Sequence, residues 1–153
     1  MKVKVLFLCL GNICRSPMAE AVFRSKVEQA GLEESIEIDS AGLGHWHIGK
    51  PPHKGTRKLL KKNKISFKNI TARQLDDEDV NRFDYIIAMD QANRTELGEP
   101  EGPFIGKLLD FHPALQGEDV PDPYHTGNFD EVYDMIHSSC EYFLDWLRKR
   151  ENL

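Results

Sequence analysis

Residues 3 to 9, Val-Lys-Val-Leu-Phe-Leu-Cys, are almost continuously apolar and rich in β-branched and aromatic side chains. That is the pattern of a strand buried on both faces of a parallel sheet. A short turn, Leu10-Gly11-Asn12-Ile13-Cys14-Arg15, separates it from a run read as a helix, Met18 to Ala30. A strand, a tight turn and a helix N-terminus together aim backbone N–H groups at an anion. Here the turn also carries a thiol at its start, Cys9, and a guanidinium at its end, Arg15. The layout predicts a phosphate site with its own nucleophile.

The rest of the chain supplies a frame for such a site. Ser16 reads as the N-cap of the first helix and Pro17 as its first residue, where a missing N–H is not needed. Ala19, Phe23, Val27 and Ala30 then mark one inward face, and Gly31 a stop. Residues 35 to 41 alternate polar and apolar, as a second strand does, and residues 42 to 52 form a glycine- and proline-rich loop. A helix is expected from His53 to Lys62 with Leu59 and Leu60 inward, and a short one over Asp76 to Arg82. Tyr85 to Met89 reads as a third strand with Asp90 at its carboxyl end, Gln91 to Leu97 as a short helix, and Lys107-Leu108-Leu109 as a weaker fourth strand. Residues 112 to 127 hold three prolines and read as a long loop, functional if ordered. Phe129, Val132, Tyr133, Ile136, Cys140, Phe143, Leu144 and Leu147 recur at helical spacing, with Arg148, Lys149 and Arg150 suited to the helix end. Alternating strands and helices imply an α/β fold, a three-layer sandwich with a mostly parallel sheet. Ligands of such sheets bind beyond the carboxyl ends of the strands, where Cys9, Ser40 and Asp90 all fall.

At 153 residues, with no repeat or linker, the chain reads as one domain, 1–153. Its 20 basic and 25 acidic residues leave a net charge of -5, so no broad attraction to nucleic acid is expected. The basic run from Lys58 to Lys64 reads as a solvated helix face. The apolar stretch before Gly11 is too short for a signal peptide or a membrane span. Three cysteines, an odd number, suggest no disulfide framework and point to a reducing cytoplasm.

A phosphate monoester needs donors for its oxygens, a nucleophile in line with phosphorus and a proton for its leaving oxygen. The N–H groups of Leu10, Gly11, Asn12, Ile13, Cys14 and Arg15 can serve the oxygens, and the planar Arg15 fork can bond two of them at once. The same donors favour a charged sulfur at Cys9, to which Ser16 can give a hydrogen bond. Gly11 permits the turn and Asn12 tolerates left-handed backbone geometry. Asp122, stiffened between Pro121 and Pro123, is a candidate proton donor; read from spacing alone, it serves equally well as a turn former.

Cys9-Leu-Gly-Asn-Ile-Cys-Arg-Ser-Pro17 resembles the signature of the low-molecular-weight protein tyrosine phosphatases. Asp39-Ser40-Ala41-Gly42, Tyr85-Ile86-Ile87-Ala88-Met89-Asp90 and Val120-Pro121-Asp122-Pro123-Tyr124 match the same family in the same order. The resemblance implies a four-stranded parallel sheet flanked by helices, with the phosphate-binding loop after its first strand. It also implies a reaction through a cysteinyl-phosphate that uses no metal or cofactor. Cys9 would be the nucleophile, Arg15 the phosphate clamp, Ser16 the aid to the sulfur and Asp122 the general acid. Asn12 and Ser40 would support the loop, while Ile13, Trp46 and Tyr124 would line the substrate pocket. Cys14 would be a redox partner that bridges reversibly to Cys9 under peroxide. Partners would be tyrosine-phosphorylated proteins, with a cognate tyrosine kinase behind them, and phosphate-like anions would inhibit. Two departures stand out. His125 follows Tyr124 where many members have a second tyrosine, and Ile70 stands where many have a histidine.

Other readings fare less well. Gly44 to Pro51 nearly spells a nucleotide-binding loop, but Pro51 replaces the hydroxyl such a loop needs. His45, His47 and His53 lack a recognisable metal spacing and read as solvent-facing. Related arsenate reductases need two further mobile cysteines, whereas only Cys140 remains, on an apolar helix stripe. Related protein arginine phosphatases carry threonine where this chain has Ile13, and a silent phosphate-binding module would need neither Cys9 nor Asp122.

Overall fold

The computed structural model describes residues 2–153. Four strands, β1 (Val3–Cys9), β2 (Ile36–Gly42), β3 (Tyr85–Ala88) and β4 (Phe104–Lys107), form one all-parallel sheet in the order β2-β1-β3-β4. Helices cover both faces: α1 (Arg15–Gln29), α2 (Lys54–Lys62), α3 (Asp79–Arg82), α4 (Gln91–Leu97), α5 (Pro123–Thr126) and α6 (Phe129–Glu151). No helix among the described residues is long and apolar enough to cross a membrane.

The alternation along β1 divides the core. Val5, Phe7 and Cys9 face a larger cluster built with α1, α2 and α6, while Leu6 and Leu8 face a smaller one with Phe83, Ile86 and Ile105. Because both faces are covered, β1 reads as a continuous apolar run. Phe7, Phe23 and Phe143 tie sheet to helices with ring centroids 5.0–6.1 Å apart. Burying each such side chain contributes about 1.5–3 kcal/mol.

Several elements differ from the sequence reading. Helix α1 begins at Arg15 with Cys14 at the cap position, so Ser16 lies inside the first turn and does not cap. Pro17 is then the third helical residue, still among the four whose N–H has no partner within the helix. The first two turns of α1 are buried all round, Met18 to Phe23 inclusive, because β1, β2, α2 and α6 surround them. The second strand runs one residue further than expected, to Gly42, and the helix after Asp76 is shorter. The fourth strand is Phe104–Lys107, not Lys107 to Leu109; Leu108–Phe111 is a 3-10 turn. Leu108 and Leu109 are both fully buried, which adjacent residues of a strand achieve only between two covered faces and a helical turn achieves by curling inward. The loop over residues 112–127 contains the one-turn helix α5, capped by Asp122.

Candidate active site

The carboxyl end of β1 delivers Cys9 to the start of the loop, and the N-terminus of α1 closes it. Asn12 is the loop residue that takes a left-handed backbone, φ 53°. Gly11 does not; a Cβ there would come within 3.2 Å of the His47 ring and push it back by a few tenths of an ångström. The Asn12 N–H points at the Cys9 sulfur, 3.3 Å away, while the N–H groups of Gly11, Ile13 and Cys14 take no partner among the described residues. Ser16 Oγ is 2.9 Å from the same sulfur.

Behind the loop a buried hydrogen-bond chain fixes each orientation. The Arg73 N–H can only donate, and it meets Asn12 Oδ1 at 3.0 Å, so the Asn12 amide cannot be flipped. Its Nδ2 therefore donates to Ser16 Oγ (2.7 Å) and Ser40 Oγ (3.0 Å). Ser40 passes its own hydrogen to Glu20 Oε1 at 2.6 Å, and Arg24 holds the other Glu20 oxygen at 2.6 Å. With Ser16 Oγ accepting from Asn12, its hydrogen is left for the Cys9 sulfur. Burial, opposed by Arg24 and Ser40, holds the Glu20 carboxyl above its ordinary range. Arg73 is itself held by Asp39 and by Asp79, the latter fully buried, across two hydrogen bonds of 3.0 Å.

Arg15 is buried, with Nη1 2.6 Å from Asp90 Oδ2 and 2.9 Å from the Val120 carbonyl. Burial alone would lower its pKa, but Cys9, Asp90 and Asp122 raise it above the ordinary arginine value, so the guanidinium stays charged. Asp90, at the end of β3, also caps α4 through the Asn93 N–H at 2.7 Å. Ile70 is a buried apolar residue, so Asp90 is held from the arginine side.

Asp122 arrives from the far end of the chain. Val120 N–H bonds the Met89 carbonyl, anchoring this loop to the end of β3. Asp122 Oδ1 caps α5 through the Tyr124 N–H at 3.1 Å, and its other oxygen lies 3.8 Å from Arg15 Nη2. His125 Nε2 lies 3.9 Å from that same oxygen. A cleft of about 390 Å³ opens above the loop, lined by Leu10, Gly11, Ile13, Cys14, Trp46, His47, Asp122, Tyr124 and His125. Its size suits one aromatic side chain bearing a phosphate. Trp46 and Tyr124 are 59% and 53% exposed at its mouth, as walls free to meet a ligand.

The structure thus brings every sequence-predicted site residue to one end of the sheet, Cys9, Ser16, Asn12, Ser40 and Arg15 below the cleft and Ile13, Trp46, Asp122 and Tyr124 around it. It also adds residues the sequence reading passed over. His47 and His53 are half-buried rather than solvent-facing. His47 lines the cleft. His53 caps α2 through the Gly55 N–H (3.0 Å) and stacks on Phe129 with centroids 5.0 Å apart. Burial, Arg57 and His47 lower its pKa. Glu20 was hidden as an ordinary helix acid. Its signal was an acid inside an otherwise apolar run, Met18-Ala-Glu-Ala-Val-Phe23.

Cys14 and Cys140 are thiols of a different kind. Burial first, then the charges of Cys9 and Asp122, push Cys14 up to about 12 against the opposing pull of Arg15. Burial pushes Cys140 up to about 12, inside α6. Among the described residues no group of three or more His, Cys, Asp or Glu side chains is placed to hold a metal ion.

Comparison with known proteins agrees with this geometry. The family described as "Low molecular weight phosphotyrosine protein phosphatase" matches residues 4–153. The chain is 50% identical over 155 residues to the low molecular weight protein-tyrosine-phosphatase YfkJ of Bacillus subtilis, covering 99% of each. The crystal structure of YfkJ superposes with a TM-score of 0.93 over 98% of this chain and 97% of that one. PtpA of Staphylococcus epidermidis, of the same description, is 43% identical over 99% of this chain and 97% of its own. A Drosophila arginine phosphatase is similar at 36% identity and a TM-score of 0.86, covering 97% of this chain and 98% of that one. Matched from its first strand to its last residue, the chain belongs to the low molecular weight phosphotyrosine protein phosphatase family.

Proposed function

We propose that this chain hydrolyses phosphotyrosine monoesters on proteins through a cysteinyl-phosphate at Cys9. The observation that carries the reading is the convergence, below one cleft, of the Cys9 sulfur, the buried charged Arg15 and the Asp122 carboxyl 3.8 Å from it. In the first step the Cys9 sulfur attacks phosphorus, the S–P bond forms and the P–O bond to the phenol breaks. Asp122 gives its proton to the departing oxygen. Unpaired loop N–H groups and Arg15 neutralise the charge on the transferring phosphoryl group. In the second step Asp122 takes a proton from water, water oxygen bonds phosphorus and the S–P bond breaks. Ser16, whose hydrogen the Asn12–Ser40–Glu20 chain directs at the sulfur, eases its departure as thiolate.

Residues 1–153 act on this reading as one catalytic domain. Tyrosine-phosphorylated proteins are its partners, a cognate tyrosine kinase supplies them, and phosphate-like anions compete for the loop. Its three free thiols suit a reducing cytoplasm.

A second reading, phosphoarginine hydrolysis, has one observation in its favour, the similarity to the Drosophila arginine phosphatase. Against it stands Ile13, which lines the cleft without a hydroxyl for a guanidinium and offers an apolar face to a flat ring. Kinetics on two peptides of identical sequence, one with phosphotyrosine and one with phosphoarginine, test the choice. A kcat/KM at least about tenfold higher for phosphotyrosine is expected, one hydrogen-bonding mismatch being worth that much or more. The reverse preference overturns the reading.

Cys14 is proposed as the redox partner of Cys9. Peroxide converts the Cys9 thiolate to a sulfenic acid, and the Cys14 thiol displaces water from it to form a disulfide. Peroxide inactivation reversed by dithiothreitol in the wild type, and irreversible in Cys14→Ser, is expected. Equal reversibility in both removes Cys14 from this role.

A further inference from the structure

The charge of this chain is divided in a way its total conceals. Between Ser40 and Leu75 stand nine basic residues and no acidic one, while the rest of the chain holds the other 11 basic residues and all 25 acidic ones. The positive segment is the one that forms the cleft wall at Trp46 and His47 and then α2.

Within it, Lys50, Lys54, Arg57, Lys58, Lys61, Lys62, Lys64 and Lys68 make no ion pair with any described residue. Arg73 is the one basic residue of the segment that is paired. Outside it Arg15, Arg24, Arg82, Arg94 and Lys107 are paired, while Lys2, Lys4, Lys26, Arg148, Lys149 and Arg150 have no ion pair among the described residues and are spread through acidic surroundings in sequence. On α2, Lys54, Arg57, Lys58, Lys61 and Lys62 fall at helical spacing on the outward side, opposite the buried Thr56, Leu59 and Leu60. The acidic first turn of the neighbouring α6, Asp130 and Glu131, pairs with none of them.

This face is joined to the catalytic loop. The His53 N–H, at the cap of α2, bonds the Ile13 carbonyl at 2.7 Å, and Thr56 Oγ1 bonds the Cys14 carbonyl at 3.1 Å. The His53 ring lies 5.7 Å from that of Tyr124 at the cleft mouth. The stripe therefore starts beside the cleft and runs away from it. Eight like charges left unneutralised on a surface cost self-repulsion unless something opposite in sign meets them.

We propose that the outward face of α2, with Lys50 and Lys64 at its ends, docks an acidic segment of the phosphoprotein substrate adjacent to the phosphorylated residue. The inference rests on the phosphatase reading and adds the substrate class to it. At about 1.5 Å rise per residue α2 spans roughly 13 Å, which about four residues of extended peptide cover at about 3.4 Å each. A run of about four Asp or Glu beside the phosphotyrosine matches it in length and sign.

The test compares two phosphotyrosine peptides, one flanked by four glutamates and one by four glutamines, at low salt. The enzymes are wild type and Lys54→Gln/Lys58→Gln/Lys61→Gln/Lys62→Gln, glutamine being a comparable helix former. The wild type should favour the acidic peptide, and the variant should lose roughly tenfold in kcat/KM on it through a higher KM. Turnover of the neutral peptide and of p-nitrophenyl phosphate should stay within about twofold, which also reports that the variant folds. Salt should erase the wild-type preference. Equal kcat/KM for both peptides, or an acidic preference that survives the four substitutions, overturns the docking proposal. So does retention of the wild type on phosphatidylglycerol vesicles or single-stranded RNA with no difference between peptides. If neither peptide nor p-nitrophenyl phosphate is turned over, the phosphatase reading fails instead.

Discussion

Cys9→Ser lowers kcat/KM on a phosphotyrosine peptide by ~10⁴–10⁶, an effect of the size seen when a catalytic nucleophile is removed. The reason lies in what the loop supplies. Among the described residues no His, Glu or Asp side chain hydrogen-bonds the Cys9 sulfur, so no base stands ready to ionise a hydroxyl there. Its neighbours are donors, the Asn12 N–H at 3.3 Å and Ser16 Oγ at 2.9 Å, which favour an anion already present and cannot make one. A serine in that place is a neutral hydroxyl among donors. The cradle itself is untouched by the change, so inorganic phosphate should still bind. Steady-state kinetics with a phosphate-binding titration on the same sample separates the two effects, and a variant that keeps turnover within tenfold removes Cys9 from the mechanism.

Asp122→Asn lowers kcat on the same peptide by ~10²–10⁴, the worth of general acid catalysis. Asparagine is the informative substitution because the proposed proton donor is also a helix cap. Its Oδ1 caps α5 through the Tyr124 N–H, and asparagine caps as well as aspartate. Tyr124 therefore keeps its place while proton donation is lost. Alanine would remove both and confound them. The loss should shrink with a leaving group that needs no proton, so p-nitrophenyl phosphate should suffer less than the tyrosine ester. Equal losses on both substrates would assign Asp122 a structural role at the α5 cap.

The central strand and the loop after it were legible because burial on both sides forces a run like Val5-Leu6-Phe7-Leu8, and because Cys9 and Arg15 bracket a turn that little else explains. The two faces of α6 were legible for the same reason, an apolar stripe over 23 residues. Where the sequence misled, a local pattern had two solutions. Leu108-Leu109 reads as strand, yet Phe104–Lys107 takes the ladder and the two leucines curl beneath it. Ser16 before Pro17 reads as a cap, yet the helix starts two residues earlier, at Arg15, and Ser16 reaches the Cys9 sulfur instead. Other roles depend on long-range partners that no local pattern encodes. Glu20 becomes part of the site only because Ser40, twenty residues on, passes it a hydrogen bond. Arg73 matters because its backbone N–H orients Asn12, 61 residues away.

On the proposed mechanism the chain from Glu20 to Cys9, the Arg15 guanidinium and the Asp122 carboxyl all serve one event, transfer of a phosphoryl group to the Cys9 sulfur and off it again. The most direct measurement is rapid acid quench of the enzyme during turnover of a phosphotyrosine peptide, followed by peptide mapping by mass spectrometry. The account predicts the added mass of one phosphoryl group on the peptide containing Cys9, absent from Cys9→Ser. A burst of tyrosine product with no such adduct, or an adduct on any residue other than Cys9, contradicts it.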